Sequence, residues 1–249
     1  MVIIKSDREI DIMREAGKIL AEVHNEVENF IKPGISTYDI DKFAESIVEK
    51  HGATCSFYHL YDFPGNFCIS VNDELIHGIP SKSKIIKDGD VVKVDGGVSY
   101  KGFQSDAART HIVGTASKEI HDLVDRTKNS FFEALKVCIP GNHINDIGRT
   151  IDEYISQYGY GVVEDYVGHG IGTLVHEDPE IPNYTCKAKG VKMKKNMTLA
   201  IEPMINLGTY EVYTADDNWT VKTADGKPSA HYENTIVITD NGPEILSLI

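Results

Sequence analysis

The sequence lacks the features that mark membrane-spanning and secreted proteins. Its 249 residues contain no apolar run of about 18 residues, the length that a membrane-spanning helix needs. The first ten residues, MVIIKSDREI, show no basic stretch followed by an apolar one, so we expect no secretory signal. These absences predict a protein of the cytoplasm that does not enter a membrane.

Cysteine is scarce as well, and its spacing excludes the common cysteine-based sites. The four cysteines form no CxxC pair and no zinc-knuckle spacing: Cys55, Cys68, Cys138 and Cys186. We interpret them as reduced thiols, which agrees with a cytoplasmic location.

Positive charge is in short supply. The chain has 25 Lys and Arg residues against 38 Asp and Glu residues, a formal net charge of −13. A basic groove is therefore not expected, and nucleic acid is a poor candidate for a partner. The excess of acid indicates either simple solubility or carboxylates that bound cations hold together, because uncompensated clusters of like charge repel.

The chain repeats itself once, at an offset of 107 residues. Five positions of the first half recur in the second, namely Pro33, Gly34, Asp39, Ile40 and Gly52 as Pro140, Gly141, Asp146, Ile147 and Gly159. In both halves a Pro-Gly turn separates two amphipathic helical stretches, and β-rich segments follow. The pattern predicts an α+β fold of one domain over 1–249, with pseudo-twofold repeats at about 6–114 and 117–240. Helices should cover one face of a curved antiparallel sheet.

Local signals place the elements of each half. Ser6 with Glu9 forms a capping box ahead of the first helix, and Ser117 is expected to cap the first helix of the second half. Strands are predicted within four segments: 91–100, 111–114, 198–206 and 235–239.

The repeat brings two acids into register. Asp95 plus 107 is position 202, which is Glu202, and each follows an apolar strand. A hairpin is expected here with its turn near 100–102, and a turn centred between Tyr100 and Lys101 would place Asp95 directly opposite Asp106. Glu233 is the expected mate of Glu202 in the second half. Four acids from two symmetric hairpins would then converge on the pseudo-axis.

Such a cluster has the chemistry of a metal site. Facing carboxylates repel each other unless a cation lies between them, and an added imidazole favours Mn, Fe, Co or Zn. The candidate imidazole is His169, whose flanking glycines in VGHGIG allow close approach of backbone and metal. The alternatives are that the acids are ordinary solvated strand residues and that His169 is a loop residue.

Seven motifs carry a family resemblance, in order and over nearly the whole chain. They are HGIP at 77–80, DGDVVKVD at 88–95, GFQSD at 102–106, GHGIG at 168–172, IEPM at 201–204, WTVKT at 219–223 and SAHYENT at 229–235. In these segments the sequence resembles the type I methionine aminopeptidases, which have the pita-bread fold, and it looks like their bacterial short form.

The resemblance implies a dinuclear metal site and a hydrolytic mechanism. Five residues match the family's metal ligands: Asp95, Asp106, His169, Glu202 and Glu233. Two divalent ions (Co, Mn, Fe or Zn) would activate a water, with Glu202 as the general base. His77 and His176 would contact the substrate, His176 by donating a hydrogen bond to the developing oxyanion.

The expected substrate is a peptide or nascent chain with N-terminal methionine and a small second residue. An apolar pocket for the methionine side chain would be lined by Leu60, Phe63, Cys68 and Trp219. On sequence alone Trp219 could equally be a core residue. We further expect a monomer that associates transiently with the ribosome.

Two departures and two alternatives stay open at the level of sequence. Leu60 and Val175 stand where relatives often have aromatic residues, which concerns the pocket and not the metal site. The run SDAART at 105–110 also resembles proline-specific peptidases, which usually carry an extra N-terminal domain that this chain is too short to hold. A non-catalytic, peptide-binding module of the same fold is the other alternative, although such a module has no need to keep all five ligands.

Overall fold

The computed structural model describes residues 1–249 as four helices and fifteen short strands. The helices are α1 (Asp7–Phe30), α2 (Thr37–Lys50), α3 (Lys118–Leu135) and α4 (Asn145–Ile155). The strands of the first half are β1 (Thr54–Cys55), β2 (Cys68–Val71), β3 (Glu74–Ile76), β4 (Val91–Tyr100) and β5 (Phe103–Ile112). Those of the second half are β6 (Gly161–Val162), β7 (Gly168–Gly170), β8 (Glu177–Ile181), β9 (Thr198–Ile201), β10 (Met204–Asn206), β11 (Val212–Thr214), β12 (Val221–Thr223), β13 (Ser229–His231), β14 (Asn234–Thr239) and β15 (Gly242–Ile245).

The predicted helix starts are present. The Ser6 hydroxyl accepts a hydrogen bond from the Glu9 backbone N–H, and the Glu9 carboxylate accepts from the Ser6 N–H, which completes the capping box of α1. Ser117 caps α3 by accepting from the Ile120 N–H. Each cap satisfies a backbone N–H that has no partner inside its helix.

The strands pair antiparallel throughout. In the first half β4 is central and pairs with β1, β2 and β5. In the second half a five-stranded sheet has the order β15-β14-β9-β7-β8. Two smaller sheets, β13-β10-β6 and β11-β12-β3, complete the molecule. The predicted order of two helices followed by strands thus occurs twice.

Each half has its own apolar core between its helices and its strands. In the first, Leu20 and Val23 of α1 and Ile40 of α2 pack with Val92 and Val94 of β4. In the second, residues of α3 and α4 pack with those of β9 and β14. None of the four helices combines the length and apolar character that crossing a membrane requires.

The two halves meet where their acid-bearing strands lie side by side. Ala108 and Glu233 exchange backbone hydrogen bonds, with N–O distances of 3.4 and 3.0 Å. The Thr235 hydroxyl accepts from the Asp106 N–H at 2.8 Å and donates to the Asp106 carbonyl at 2.9 Å. This junction fixes the backbone of Asp106 against that of Glu233.

Candidate active site

The β4–β5 hairpin places its two acids on one face, but with a different register from the predicted one. Asp95 lies opposite Ala108, and Asp106 lies opposite Gly97, so the prediction that Asp95 directly faces Asp106 was wrong. The reason is a tight two-residue turn at Lys101 and Gly102, both with positive φ, which pairs Tyr100 with Phe103. The register differs by two residues, so the acids become diagonal neighbours on the same face.

Glu202 and Glu233 extend the pairing of β9 with β14. Ile201 is opposite Asn234, and continuing this register by one residue places Glu202 opposite Glu233. The predicted continuous strand over 198–206 is interrupted here, because Pro203 has no N–H to donate to a ladder. The interruption leaves the Glu202 side chain at the end of β9.

One cavity of about 380 Å³ collects every candidate residue of the sequence analysis. The acids Asp95, Asp106, Glu202 and Glu233 and the imidazoles of His77, His169 and His176 line it, together with Leu60, Phe63, Cys68 and Trp219. Candidate residues separated by up to 173 positions in the chain, from Leu60 to Glu233, thus line the same cavity. Val175 lies buried behind the aromatic side of this wall, packed in one cluster with Phe63 and Cys68.

The carboxylate oxygens and imidazole nitrogens lie close enough together to bind a common metal ion. Nε2 of His169 lies 3.6 Å from Oε1 of Glu202 and 3.9 Å from Oδ2 of Asp106. Ligand atoms of Asp106, His169 and Glu233 all lie within 4.8 Å of one another. Asp95 is outside that trio, but its carboxylate faces the same cavity and repels that of Asp106.

His169 is oriented as a metal-binding imidazole. Its Nδ1 lies 2.9 Å from the Gly170 carbonyl, to which it donates, so the Nε2 lone pair points at the acids. The flanking glycines are required by the sheet: a Cβ on Gly168 would overlap the Ala200 carbonyl, and one on Gly170 would overlap that of Asp178. The glycines therefore let neighbouring strands close around His169.

Burial makes the acid cluster electrostatically unfavourable without a cation. It raises the pKa of Asp106 to about 7 and the pKa of Asp95, Glu202 and Glu233 well above their usual range, and the neighbouring acids raise the pKa of these three further. Buried carboxylate oxygens of Asp95, Asp106 and Glu233 have no hydrogen-bond partner. Orphaned acid oxygens beside an imidazole lone pair fit a pair of divalent ions.

The two proposed substrate histidines are held neutral. Burial lowers the pKa of His77 to about 4, and it lowers the pKa of His176 below its usual value. The His176 ring packs edge-on against His169 with centroids 4.5 Å apart, while His77 packs edge-on against Trp219 at 6.3 Å. Both imidazoles can therefore offer an N–H to a substrate without carrying charge into the cavity.

An apolar pocket adjoins the acids. Phe63 and Trp219 meet edge-to-face with ring centroids 5.1 Å apart, and Leu60 and Phe57 pack beside them. Cys68 lies opposite Asp95 on the next strand, and burial raises the pKa of its thiol well above the usual value, so it contributes an uncharged wall. Trp219 is half-buried and lines the cavity instead of the central core.

Comparison with known proteins places the chain in a family. Residues 11–240 match the model of metallopeptidase family M24. The chain belongs to this family. It is 52% identical over 249 residues to the methionine aminopeptidase of Clostridium perfringens, with 100% of each protein covered.

The fold of this M24 member agrees with solved structures. The methionine aminopeptidase of Thermotoga maritima superposes with a TM-score of 0.98 at 41% identity, and all of both chains is covered. The prolidase of Pyrococcus furiosus superposes with a TM-score of 0.81 at 26% identity, and the match covers 99% of this chain but 66% of the prolidase. The predicted α+β pita-bread fold is confirmed, and the proline-specific alternative is not favoured.

The M24 site also contains residues to which the sequence analysis gave no role. His231, with 1% of its surface exposed, places Nε2 3.6 Å from Oε2 of Glu202 and 3.9 Å from Oε2 of Glu233. Phe57, Tyr61 and Tyr166 line the cavity. The spacing in the segment 229–235 was an available signal for His231, because residues two apart in extended chain point to the same face and Glu233 is two positions on.

Proposed function

We propose that the chain is a metal-dependent aminopeptidase that removes N-terminal methionine from peptides and nascent proteins when the second residue is small. The observation that carries the proposal is the cavity in which Asp95, Asp106, His169, Glu202 and Glu233 meet an apolar pocket. The relatives named methionine aminopeptidase support it, since they match the chain from end to end.

The five residues Asp95, Asp106, His169, Glu202 and Glu233 would hold two divalent ions. When bound, the ions supply a water that can lose a proton near neutral pH and a Lewis acid for the peptide carbonyl. Four carboxylates and one imidazole suit Mn, Fe, Co or Zn, and this donor set does not distinguish among them.

The remaining steps belong to residues of the chain. Glu202, whose carboxylate faces the cavity, accepts the proton of the attacking water. A neutral His176 donates a hydrogen bond to the oxygen of the developing tetrahedral centre. His77, which packs against Trp219, contacts the nitrogen of the second residue in this proposal and assists its protonation as it leaves.

The pocket determines which first residue is accepted. Its walls are apolar, so methionine packs against aromatic edges through its polarizable sulfur. Lysine or glutamate would be buried without a partner and should be rejected strongly. Leu60 and Val175 are smaller than the aromatics common in relatives, which leaves room for some cleavage after leucine or phenylalanine.

We also propose a cytoplasmic, monomeric, single-domain enzyme that meets its nascent-chain substrates by transient association with the ribosome. The four cysteines support the compartment, because all are free in the fold. The exchange of hydrogen bonds between Ala108 and Glu233 supports one domain, because the proposed site needs both halves.

A panel of X-Ala-Ser and Met-X-Ser peptides, with products identified by mass spectrometry, tests the proposed specificity. We expect efficient cleavage with methionine first, weak discrimination against norleucine by about 1–3 kcal/mol, and strong rejection of lysine and glutamate. At the second position, small residues should be preferred. Equal rates for Met, Lys and Glu, or a requirement for proline at the second position, would overturn the methionine assignment in favour of a proline-specific one.

A further inference from the structure

His231 is a buried imidazole beside the acids that the mechanism above does not use. It lies at the end of β13, and its Nε2 faces one carboxylate oxygen of Glu202 and one of Glu233. Neither of its ring nitrogens has a hydrogen-bond partner. A buried polar group left unsatisfied costs about 1–3 kcal/mol, so this side chain is expected to have a partner in the working protein.

The surroundings of Nδ1 distinguish His231 from His169. His169 donates from Nδ1 to the Gly170 carbonyl at 2.9 Å, which frees the Nε2 lone pair for a metal. His231 has no acceptor at Nδ1, so metal binding through Nε2 would leave an Nδ1–H buried and unsatisfied. If the proton is on Nε2 instead, the Nε2–H of His231 points at Oε2 of Glu202 and Oε2 of Glu233.

The two oxygens of Glu202 are divided between the two imidazoles. Oε1 lies 3.6 Å from Nε2 of His169, and Oε2 lies 3.6 Å from Nε2 of His231. The second distance is slightly longer than a hydrogen bond, and a small rotation of the carboxylate closes it, because this terminal torsion is soft. Hydrogen bonds to a carboxylate are charge-assisted and therefore among the stronger ones.

We propose that His231 is a positioning residue of the metal centre, whose Nε2–H donates to Oε2 of Glu202 and turns the other oxygen toward the ions. Glu233 Oε2, 3.9 Å away, is the adjacent acceptor that keeps the imidazole between the two acids. The inference rests on the proposed metal-dependent function. It assigns to His231 the task of setting how tightly the centre holds its ions.

Substitution of His231 in the full chain tests the assignment. His231→Leu removes the donor at similar volume, and His231→Gln keeps an N–H donor. His24→Gln is the matched control, because His24 is a buried imidazole with an unpaired Nδ1, and its Nε2 is bonded to the Ala107 carbonyl and not to an acid of the site. The affinity for Mn²⁺ is measured by competition with a chromophoric chelator, the metal content by elemental analysis, and the number of coordinated imidazoles by X-ray absorption of the Co²⁺-loaded proteins.

We expect His231→Leu to keep the metal content of the wild type at saturation but to weaken Mn²⁺ binding by about 10–100-fold, the usual effect of losing a group that orients a ligand. His231→Gln should recover most of this loss, and His24→Gln should bind as the wild type does. One coordinated imidazole per centre is expected in wild type and variants alike.

Two results would overturn the assignment. Unchanged Mn²⁺ affinity in both His231 variants would make the residue merely structural, and two imidazoles in the wild-type centre would make it a ligand. If His231→Leu does not fold, the number of imidazoles coordinated to the metal in the wild type still tests whether His231 is a ligand. A wild type that binds no divalent ion would contradict the proposed function itself. If the wild type binds ions and releases methionine, the proposed function stands, and the His231 variants then test only the assignment of His231.

Discussion

Asp106 connects the proposed metal site to the junction between the two halves. Its carboxylate faces His169, while its backbone N–H and carbonyl are both bonded to the Thr235 hydroxyl. The side chain is therefore held in place by a strand of the opposite half. Because Asp95 and Glu233 share the same buried space, removal of one charge changes the balance for all of them.

Asp106→Asn should lose at least one equivalent of divalent metal and nearly all peptidase activity, because the amide keeps the shape but removes an anionic ligand. Elemental analysis after reconstitution and a Met-Ala-Ser assay check both. Asp216→Asn, at an exposed acid, is the control and should behave as the wild type. A fully active Asp106→Asn protein with its full metal content would rule out the dinuclear centre.

His176→Ala should separate chemistry from metal binding. We expect kcat to fall by about 10²–10³-fold, the usual loss when a donor to the developing oxyanion is removed, while the metal content stays at the wild-type level. Steady-state kinetics beside elemental analysis make the comparison. A loss of metal in proportion to activity would place His176 among the ligands.

At the residue scale, the sequence was informative where a pattern repeated. The offset of 107 residues connected Asp95 with Glu202, and the spacing of strand segments suggested Asp106 and Glu233. His169 has no periodicity to indicate it, so it became a candidate only beside the acid cluster, and the family resemblance then supported it. The spacing of two could have linked His231 with Glu233, but the role of His231 could not be assigned, since it depends on the absence of an acceptor at Nδ1, which is a tertiary property.

At the scale of elements, the β4–β5 hairpin shows how a turn decides which residues meet. Lys101 and Gly102 have φ values of 48° and 84°, and positive φ at both central positions is what a two-residue hairpin turn of type I′ needs. A longer or shorter turn would change the register, and a one-residue slip would move Asp106 to the opposite face from Asp95.

Two substitutions at this turn should affect stability differently. Gly102→Ala should lower the free energy of unfolding by about 1–2 kcal/mol, because a Cβ at positive φ is strained even though no neighbouring atom lies within 4 Å of it. Lys101→Asn should be neutral or stabilising, since asparagine favours this turn. Urea denaturation measures both, and equal effects of the two substitutions would contradict the assignment of the turn.

Long elements were predictable from the sequence, and short ones were not. The capping box at Ser6, the cap at Ser117 and amphipathic spacing indicated the helices, and the apolar runs indicated β4, β9 and β14. The three-residue strands β3, β11 and β12 are too short to show alternation, so the sheet that they form could not be foreseen. The register of β5 depends on the length of the β4–β5 turn, which the sequence does not determine.

At the scale of the whole molecule, burial also lowers the pKa of imidazoles outside the site, those of His24 and His111. Apart from the site residues, His111 on β5 is held neutral: burial, and then Arg109, lower the pKa of His111 to about 4. The unfolded chain binds a proton at this residue near pH 6.5, but the folded chain does so only near pH 4. Acid therefore favours the unfolded state as pH falls through this interval.

His111→Gln should make the chain less sensitive to acid. Between pH 7 and pH 5, the free energy of unfolding of the wild type should fall by about 2 kcal/mol more than that of the variant, because the variant has no proton to gain on unfolding at this position. Urea denaturation at both pH values, with a chelator present to exclude metal effects, provides the comparison. An identical pH dependence of the two proteins would contradict the lowered pKa of His111 in the folded chain.

Cleavage of Met-Ala-Ser by metal-free and metal-reconstituted protein tests the central claim most directly. The protein is stripped with a chelator, reloaded with Mn²⁺ or Co²⁺, and its products are identified by mass spectrometry. The expected result is free methionine and Ala-Ser from the reloaded wild type, and no product from the stripped protein. Release of methionine at the same rate with the chelator present, or cleavage at a bond other than the first, would contradict a metal-dependent aminopeptidase built on these five ligands.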